Sequence, residues 1–209
     1  MSIVLTGGTG YLGKHICQRL SELGLSFTAL SRSPQSESYF KQANILNPDD
    51  LSTIFEGCDT LIHSAGLVSH TDEDSDRVWQ IHVQGTQNII NAAKAAGVKR
   101  LVYLSTSGTI AVSTSESPIS NEDSPSPFAT VKEWPYYRSK LFAEQIALEA
   151  NDSNFEVISL NPSLLLGPGD TIDGVSTKPV RLFLDDELPV PPSGGIAFVD
   201  VRDVADIVI

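Results

Sequence analysis

Residues 5–13 read LTGGTGYLG and hold two overlapping glycine patterns. Gly8, Gly10 and Gly13 spell G-x-G-x-x-G, whereas Thr6, Gly7, Gly10 and Gly13 spell T-G-x-x-G-x-x-G. The short apolar run SIVL precedes them, as a strand buried in a parallel sheet would. After them Leu12, Ile16, Leu20 and Leu23 recur at helical spacing, and Gly24 ends the helix. A glycine turn between strand and helix lets backbone N–H groups at the helix start approach a pyrophosphate. The stretch predicts a phosphate-binding turn, and the rest of the chain must say which frame is used.

Working outward, strands and helices alternate. FTALS (27–31) is a second strand, and DDLSTIFEG (49–57) a short helix capped by Asp49 or Asp50 and ended by Gly57. A strand over 60–63 leads to a helix over 77–96 with Val78, Ile81, Ile89, Ile90 and Ala93 inward. VKRLVYLSTSG (98–108) holds the next strand, 136–150 a helix, 155–160 a strand, and 196–209 a strand running into a helix. Residues 111–134, rich in Ser, Pro and acids, form a surface loop long enough to suspect function. This alternation predicts an α/β fold, a Rossmann-type doubly wound parallel sheet.

A formal net charge of −12 argues against a nucleic-acid partner, which would require clustered Lys and Arg. Cys17 and Cys58 form no C-x-x-C pair and have no histidine at metal-ligand spacing, so they read as core thiols, with no metal expected. MSIVLTGG is not a signal peptide, and no run approaches the ~18 apolar residues of a membrane span. A cytoplasmic protein without membrane partners is expected. The chain stops abruptly on DVADIVI, which suggests truncation.

A dinucleotide site usually carries an acid at the end of its second strand for the ribose 2′-hydroxyl. Here Ser31, Arg32 and Ser33 stand there. A guanidinium between two hydroxyls suits a 2′-phosphate, so NADP(H) is expected over NAD(H). Farther on, Tyr136 and Lys140 lie four apart on one helix face. An ammonium beside a phenol lowers its pKa and suits acid–base work on a carbonyl or alcohol. Tyr137 reads as packing. Ser105, Thr106 and Ser107 offer a hydroxyl at the end of an apolar strand, where open α/β sheets bind ligands.

TGGTGYLG, LIHSAG, HVQGTQNIINAAKAAGVKRLVYLSTSG, YYRSKLFAEQ, NPSLLLGPGD and FVDVRDVADIVI together resemble the extended short-chain dehydrogenase/reductase (NAD(P)-dependent epimerase/dehydratase) family, in that order. NPSLLLGPGD and Arg32 look most like its dihydroflavonol-reductase-like branch. The resemblance implies that Gly7, Gly10 and Gly13 are the working glycines, with Tyr11 and Leu12 near the diphosphate, which leaves Gly8 a turn residue whose fit to the other pattern is incidental. It makes Tyr136 the acid–base, Lys140 its tuner and a ribose ligand, and Thr106 the hydroxyl, with Ser107 the fallback. Ala65 and Gly66 would line the cofactor, Asn44 and Ile45 the adenine side, and Pro162 and Ser163 the nicotinamide side. His82 stands where the family has Asn and reads as a core histidine or one supporting the site.

By the same resemblance, residues 1–161 and 196–209 form the dinucleotide-binding domain. Residues 162–195 then form part of an incomplete smaller substrate-binding region, and helices around 77–96 and 136–150 could pair in a homodimer. The expected activity is NADPH-dependent reduction of a carbonyl, reversible as alcohol oxidation. The alternatives are a nucleotide-sugar epimerase or dehydratase with tightly bound NAD, and a non-catalytic NADP-binding module. The small-molecule substrate is unidentified; Phe128, Trp134, Leu164 and Leu165 hint that it is apolar.

Overall fold

The computed structural model describes residues 2–69, 71–114, 120–171, 174, 176–187 and 194–209. The first half of the chain forms β1 (Ile3–Thr6), α1 (Tyr11–Glu22), β2 (Phe27–Ser31), β3 (Phe40–Gln42), α2 (Pro48–Leu51), β4 (Thr60–His63), α3 (Ser75–Trp79) and α4 (Gly85–Ala95). The second half forms β5 (Arg100–Leu104), α5 (Phe128–Val131), α6 (Pro135–Glu149), β6 (Glu156–Leu160), β7 (Leu164–Leu166), α7 (Thr177–Leu184), β8 (Phe198–Asp200) and α8 (Val201–Ile207). A π-helical turn, Gln80–Gln84, joins α3 to α4.

Six parallel strands pair in the order β3-β2-β1-β4-β5-β6. This is the expected Rossmann-type arrangement, and the strand order reverses between β1 and β4, where such sheets open a ligand crevice. The central strands β1, β4 and β5 read as largely apolar runs because both faces of the sheet are covered there. Val4, Leu61, Leu101 and Tyr103 pack on one face with Ile89, Ile90, Ala143 and Ala147 from α4 and α6. Their neighbours Ile3, Leu5, Ile62, Val102 and Leu104 pack on the other with Ile16 and Leu20 of α1 and Val201 and Val204 of α8. The period of two thus divides each strand between two cores, and each fully buried Leu or Ile stabilises the fold by about 1.5–3 kcal/mol. Cys17 and Cys58 are free and buried, as expected. Among the described residues no helix is long and apolar enough to cross a membrane.

Local chemistry moved several boundaries. The sequence did not announce β3: it is a three-residue edge strand with Lys41 and Gln42 exposed, and only pairing with β2 defines it. The helix expected over 49–57 is one turn, Pro48–Leu51, followed by turns. Its cap is Asn47, whose side chain accepts from the Asp49 N–H, rather than Asp49 or Asp50. Pro48 explains the shift, since its fixed φ and missing N–H suit the first helical position. β7 and β8 form a separate parallel pair, Leu164 opposite Phe198 and Leu166 opposite Asp200. Asp200 then caps α8, and Arg19 of α1 reaches Asp206 of α8 at 2.6 Å.

Candidate active site

Every strand of the main sheet is parallel, so the segments following β1 to β6 all leave from one edge. Those segments carry Gly7–Gly13, Ser31–Ser33, Asn44–Ile45, Ala65–Gly66, Thr106–Ser107 and Pro162–Ser163. The fold thereby gathers the sequence-predicted residues at the edge where open α/β sheets bind ligands.

The glycine turn uses the frame that begins at Gly7. Gly7 has φ 76°, and a Cβ there would sit 2.7 Å from the Ala65 nitrogen and the Ser64 carbonyl. A Cβ on Gly13 would overlap the Gly7 carbonyl oxygen. The Gly10 N–H donates to that carbonyl at 2.9 Å, which closes the turn. Gly10 caps α1 without any side-chain hydrogen bond, so no side chain competes for the N–H groups of the first turn. Gly8 is closely packed as a turn residue: a Cβ there would press on Ala29 at 2.9 Å and Phe40 at 3.0 Å. The Leu12 side chain is buried in the core. Tyr11 is half-buried, with its hydroxyl enclosed and without a hydrogen-bond partner among the described residues.

At the end of β2 the three polar residues divide their work. The Ser31 hydroxyl donates to the Ser33 carbonyl at 2.7 Å and accepts from the Ser33 N–H at 3.2 Å, so it shapes the turn. The Arg32 side chain is exposed and has no hydrogen bond or ion pair among the described residues. Gln42 holds the Arg32 carbonyl at 3.1 Å. The Asn44 side-chain oxygen accepts from the Leu46 N–H at 3.0 Å, and the Ile45 carbonyl accepts from Asn88 at 3.0 Å. The Ala65 N–H donates to Thr6 Oγ1 at 3.1 Å, tying the turn after β4 to the end of β1.

Tyr136 and Lys140 emerge from the first turns of α6. Thr106 hydrogen-bonds the Tyr136 phenol, which distinguishes it from Ser107. Ser107 is held by its backbone, its N–H donating to the Pro162 carbonyl at 2.9 Å. The Ser105 hydroxyl is buried without a partner among the described residues. Burial pushes the Tyr136 phenol up to about 12, Tyr137 adds to the rise, and the Thr106 hydrogen bond opposes it. The expected lowering by Lys140 does not appear. The Lys140 amine turns inward, donating to the Leu104 carbonyl and to Tyr103 Oη at 3.2 Å. Burial also pushes Lys140 down to about 7, which depletes its positive charge near neutrality. Tyr137 packs as expected: its ring lies on Gly108, 5.2 Å from the Tyr136 ring and 5.8 Å from that of Trp134.

The family model for the NAD dependent epimerase/dehydratase family matches residues 3–209. The chain belongs to that family. A Synechocystis protein named provisionally as a dihydroflavonol 4-reductase is 32% identical over 207 residues, covering 96% of this chain and 60% of the relative. The 2-alkyl-3-oxoalkanoate reductase of Shewanella oneidensis is 33% identical over 178 residues, covering 79% of this chain and 45% of the relative. This chain thus spans about half the length of the curated relatives it matches. Among solved structures, MoeE5 in complex with UDP-glucose and NAD superposes with a TM-score of 0.80 at 26% identity, covering 100% of this chain and 70% of that one.

In this family member the polar residues beneath the site were not singled out from the sequence as site residues. His63 bonds Thr6 Oγ1 at 2.6 Å and Thr86 Oγ1 at 3.0 Å, and Thr86 hydrogen-bonds the Tyr103 phenol that receives Lys140. On the other side of Lys140, Glu144 accepts from Ser159 at 2.7 Å and Asn161 at 2.6 Å. The available signal was a polar residue inside an apolar strand, as at Thr6, His63 and Tyr103. Burying such groups is costly unless each finds a partner.

Proposed function

We propose that the protein is an NADP(H)-dependent reductase, in reverse a dehydrogenase, acting on the carbonyl or alcohol group of a small molecule. The observation that carries this reading is the hydrogen-bonded pair of Tyr136 and Thr106, with Lys140 one turn along α6. The turn after β1 fits a dinucleotide, because Gly7 and Gly13 let it pack backbone to backbone while the N–H groups at the start of α1 keep no side-chain cap. Gly7, Gly10 and Gly13, with the backbone at Tyr11 and Leu12, would hold the diphosphate. Arg32 and Ser33 would take the 2′-phosphate, while Asn44 and Ile45 would flank the adenine. Ala65, Gly66, Pro162 and Ser163 would line the nicotinamide side, whereas the Lys140 amine, expected on the ribose, is instead held inward by the Leu104 carbonyl and Tyr103. When bound, the nicotinamide supplies or takes up a hydride.

The chain's own residues then manage the oxygen. Thr106 donates a hydrogen bond to the substrate carbonyl oxygen, and Tyr136 delivers its phenolic proton there. Burial keeps that phenol protonated at neutral pH, the state that reduction requires. Lys140 changes charge near neutrality and supports return of the proton. The Tyr137 ring beside Tyr136, with Trp134 packed in turn on Tyr137, supports an apolar substrate. The test is NADPH consumption by the full-length protein against a panel of aldehydes and ketones. Tyr136→Phe is expected to lower kcat by about 10²- to 10⁴-fold; equal rates would remove Tyr136 from the mechanism.

The likeness to MoeE5, solved with UDP-glucose and NAD, favours a second reading as a nucleotide-sugar epimerase or dehydratase. NAD released from denatured protein would select it.

A further inference from the structure

His82 lies in the π-helical turn between α3 and α4, and its side chain is almost fully buried. Such turns are rare and often mark functional positions. Two hydrogen bonds meet its ring. The Leu67 N–H reaches Nε2 at 3.0 Å, and Ser139 Oγ lies 2.8 Å from Nδ1. The Ser139 hydroxyl also reaches the Tyr136 carbonyl at 2.8 Å.

Donor bookkeeping fixes the protons. A backbone N–H can only donate, so Nε2 accepts from Leu67. A carbonyl can only accept, so Ser139 spends its single proton on Tyr136, and Ser139 Oγ must accept from Nδ1–H. His82 is therefore neutral, with its proton on Nδ1. A second proton on Nε2 would face the Leu67 N–H and is disfavoured, as burial and the nearby Lys140 and His63 also dictate. The ring stands edge-on to the Tyr136 ring, 5.6 Å between centroids. It also fills the space beside Gly66, where a Cβ would come within 3.1 Å of Nε2.

We infer that His82 is a positioning residue. Its neutral imidazole braces the turn at Gly66 and Leu67 against α6 and, through Ser139, fixes where Tyr136 stands. This inference rests on the reductase reading for the role of Tyr136, whereas the wiring itself does not.

Two amides divide the ring between them. In His82→Asn the amide takes the place of Nδ1, keeping Ser139 and losing Leu67. In His82→Gln it takes the place of Nε2, keeping Leu67 and losing Ser139. In the full-length protein, His82→Asn is expected to raise the cofactor KM several-fold with kcat reduced by no more than about threefold. His82→Gln is expected to lower kcat about ten- to a hundredfold, the scale of a misplaced reacting group, with little change in cofactor KM. Equal kcat losses in both variants, or no loss in either, would overturn the inference.

Nitrogen chemical shifts of the His82 ring give a readout that needs no turnover. A protonated Nδ1 with a bare Nε2 supports the wiring, and the reverse tautomer overturns it. If wild type reduces no carbonyl, the reductase reading fails, and the tautomer still decides the wiring.

Discussion

Single residues set the electrostatic terms of the site, and Lys140 is the clearest case. Burial pushes it down to about 7 from the ordinary lysine value of 10.5, with Glu144 acting the other way. Between those values the unfolded chain holds a proton that the folded chain has released, so the Lys140 contribution to stability rises with pH across that window. Below it both states are protonated, and the folded state bears the full cost of the buried charge. Lys140→Met is therefore expected to melt higher than wild type at about pH 6, with the gap narrowing toward about pH 10. Thermal melts across that range check it, and a gap that widens with pH would reverse the sign. Arg32 makes a complementary case in the open. With no partner among the described residues, its guanidinium is available to an anion, so Arg32→Asp is expected to shift cofactor preference from NADP(H) toward NAD(H) by at least about tenfold, one or two charge-assisted hydrogen bonds. Ratios of kcat/KM for the two cofactors measure it.

At the scale of elements, the join between β1 and α1 places the cradle. Gly13 and Gly10 both face the Gly7 carbonyl but at different clearances: a Cβ on Gly13 overlaps it, and one on Gly10 stands 3.2 Å away. Gly13→Ala must shift α1 away from β1, whereas Gly10→Ala requires only a few tenths of an ångström. Dinucleotide affinity, read by fluorescence titration, is expected to fall at least about tenfold more in Gly13→Ala than in Gly10→Ala, since tenfold corresponds to only about 1.4 kcal/mol. This join was legible in the sequence because strand, turn and helix are consecutive and each has its own period. β3 was not, because only Phe40 in it is apolar and its existence depends on β2. The π turn escaped for a related reason: a helical apolar pattern does not reveal one extra residue per turn.

Across the whole molecule, alternation along the chain was enough to give the main sheet without its edge strand β3, since parallel strands need helical crossovers and those have one hand. It was also enough to bring Tyr136, Lys140 and Thr106 to the proper edge. What the sequence hid was the polar support, because its partners lie far apart in the chain. His82 and Ser139 are 57 positions apart, as are Thr6 and His63, and no local pattern links them. The direction taken by Lys140 was hidden as well, since the i, i+4 spacing gives the face of α6 and not the carbonyl at Leu104 that captures the amine.

The pairing of β7 with β8 has a consequence for how this protein can change. Leu164–Leu166 and Phe198–Asp200 lie side by side in parallel, so the chain leaves the pair at Leu166 and crosses over to re-enter it at Phe198, opposite Leu164. Among the described residues of that crossover, α7 has no fully buried residue. Lengthening or replacing such an excursion costs little closure entropy, about 0.6 kcal/mol for each doubling of its length. Beyond Pro168, whose carbonyl is tied to His15 of α1 at 2.9 Å, the interval can therefore take new length and new side chains while the turn after β1 and Tyr136 keep their places.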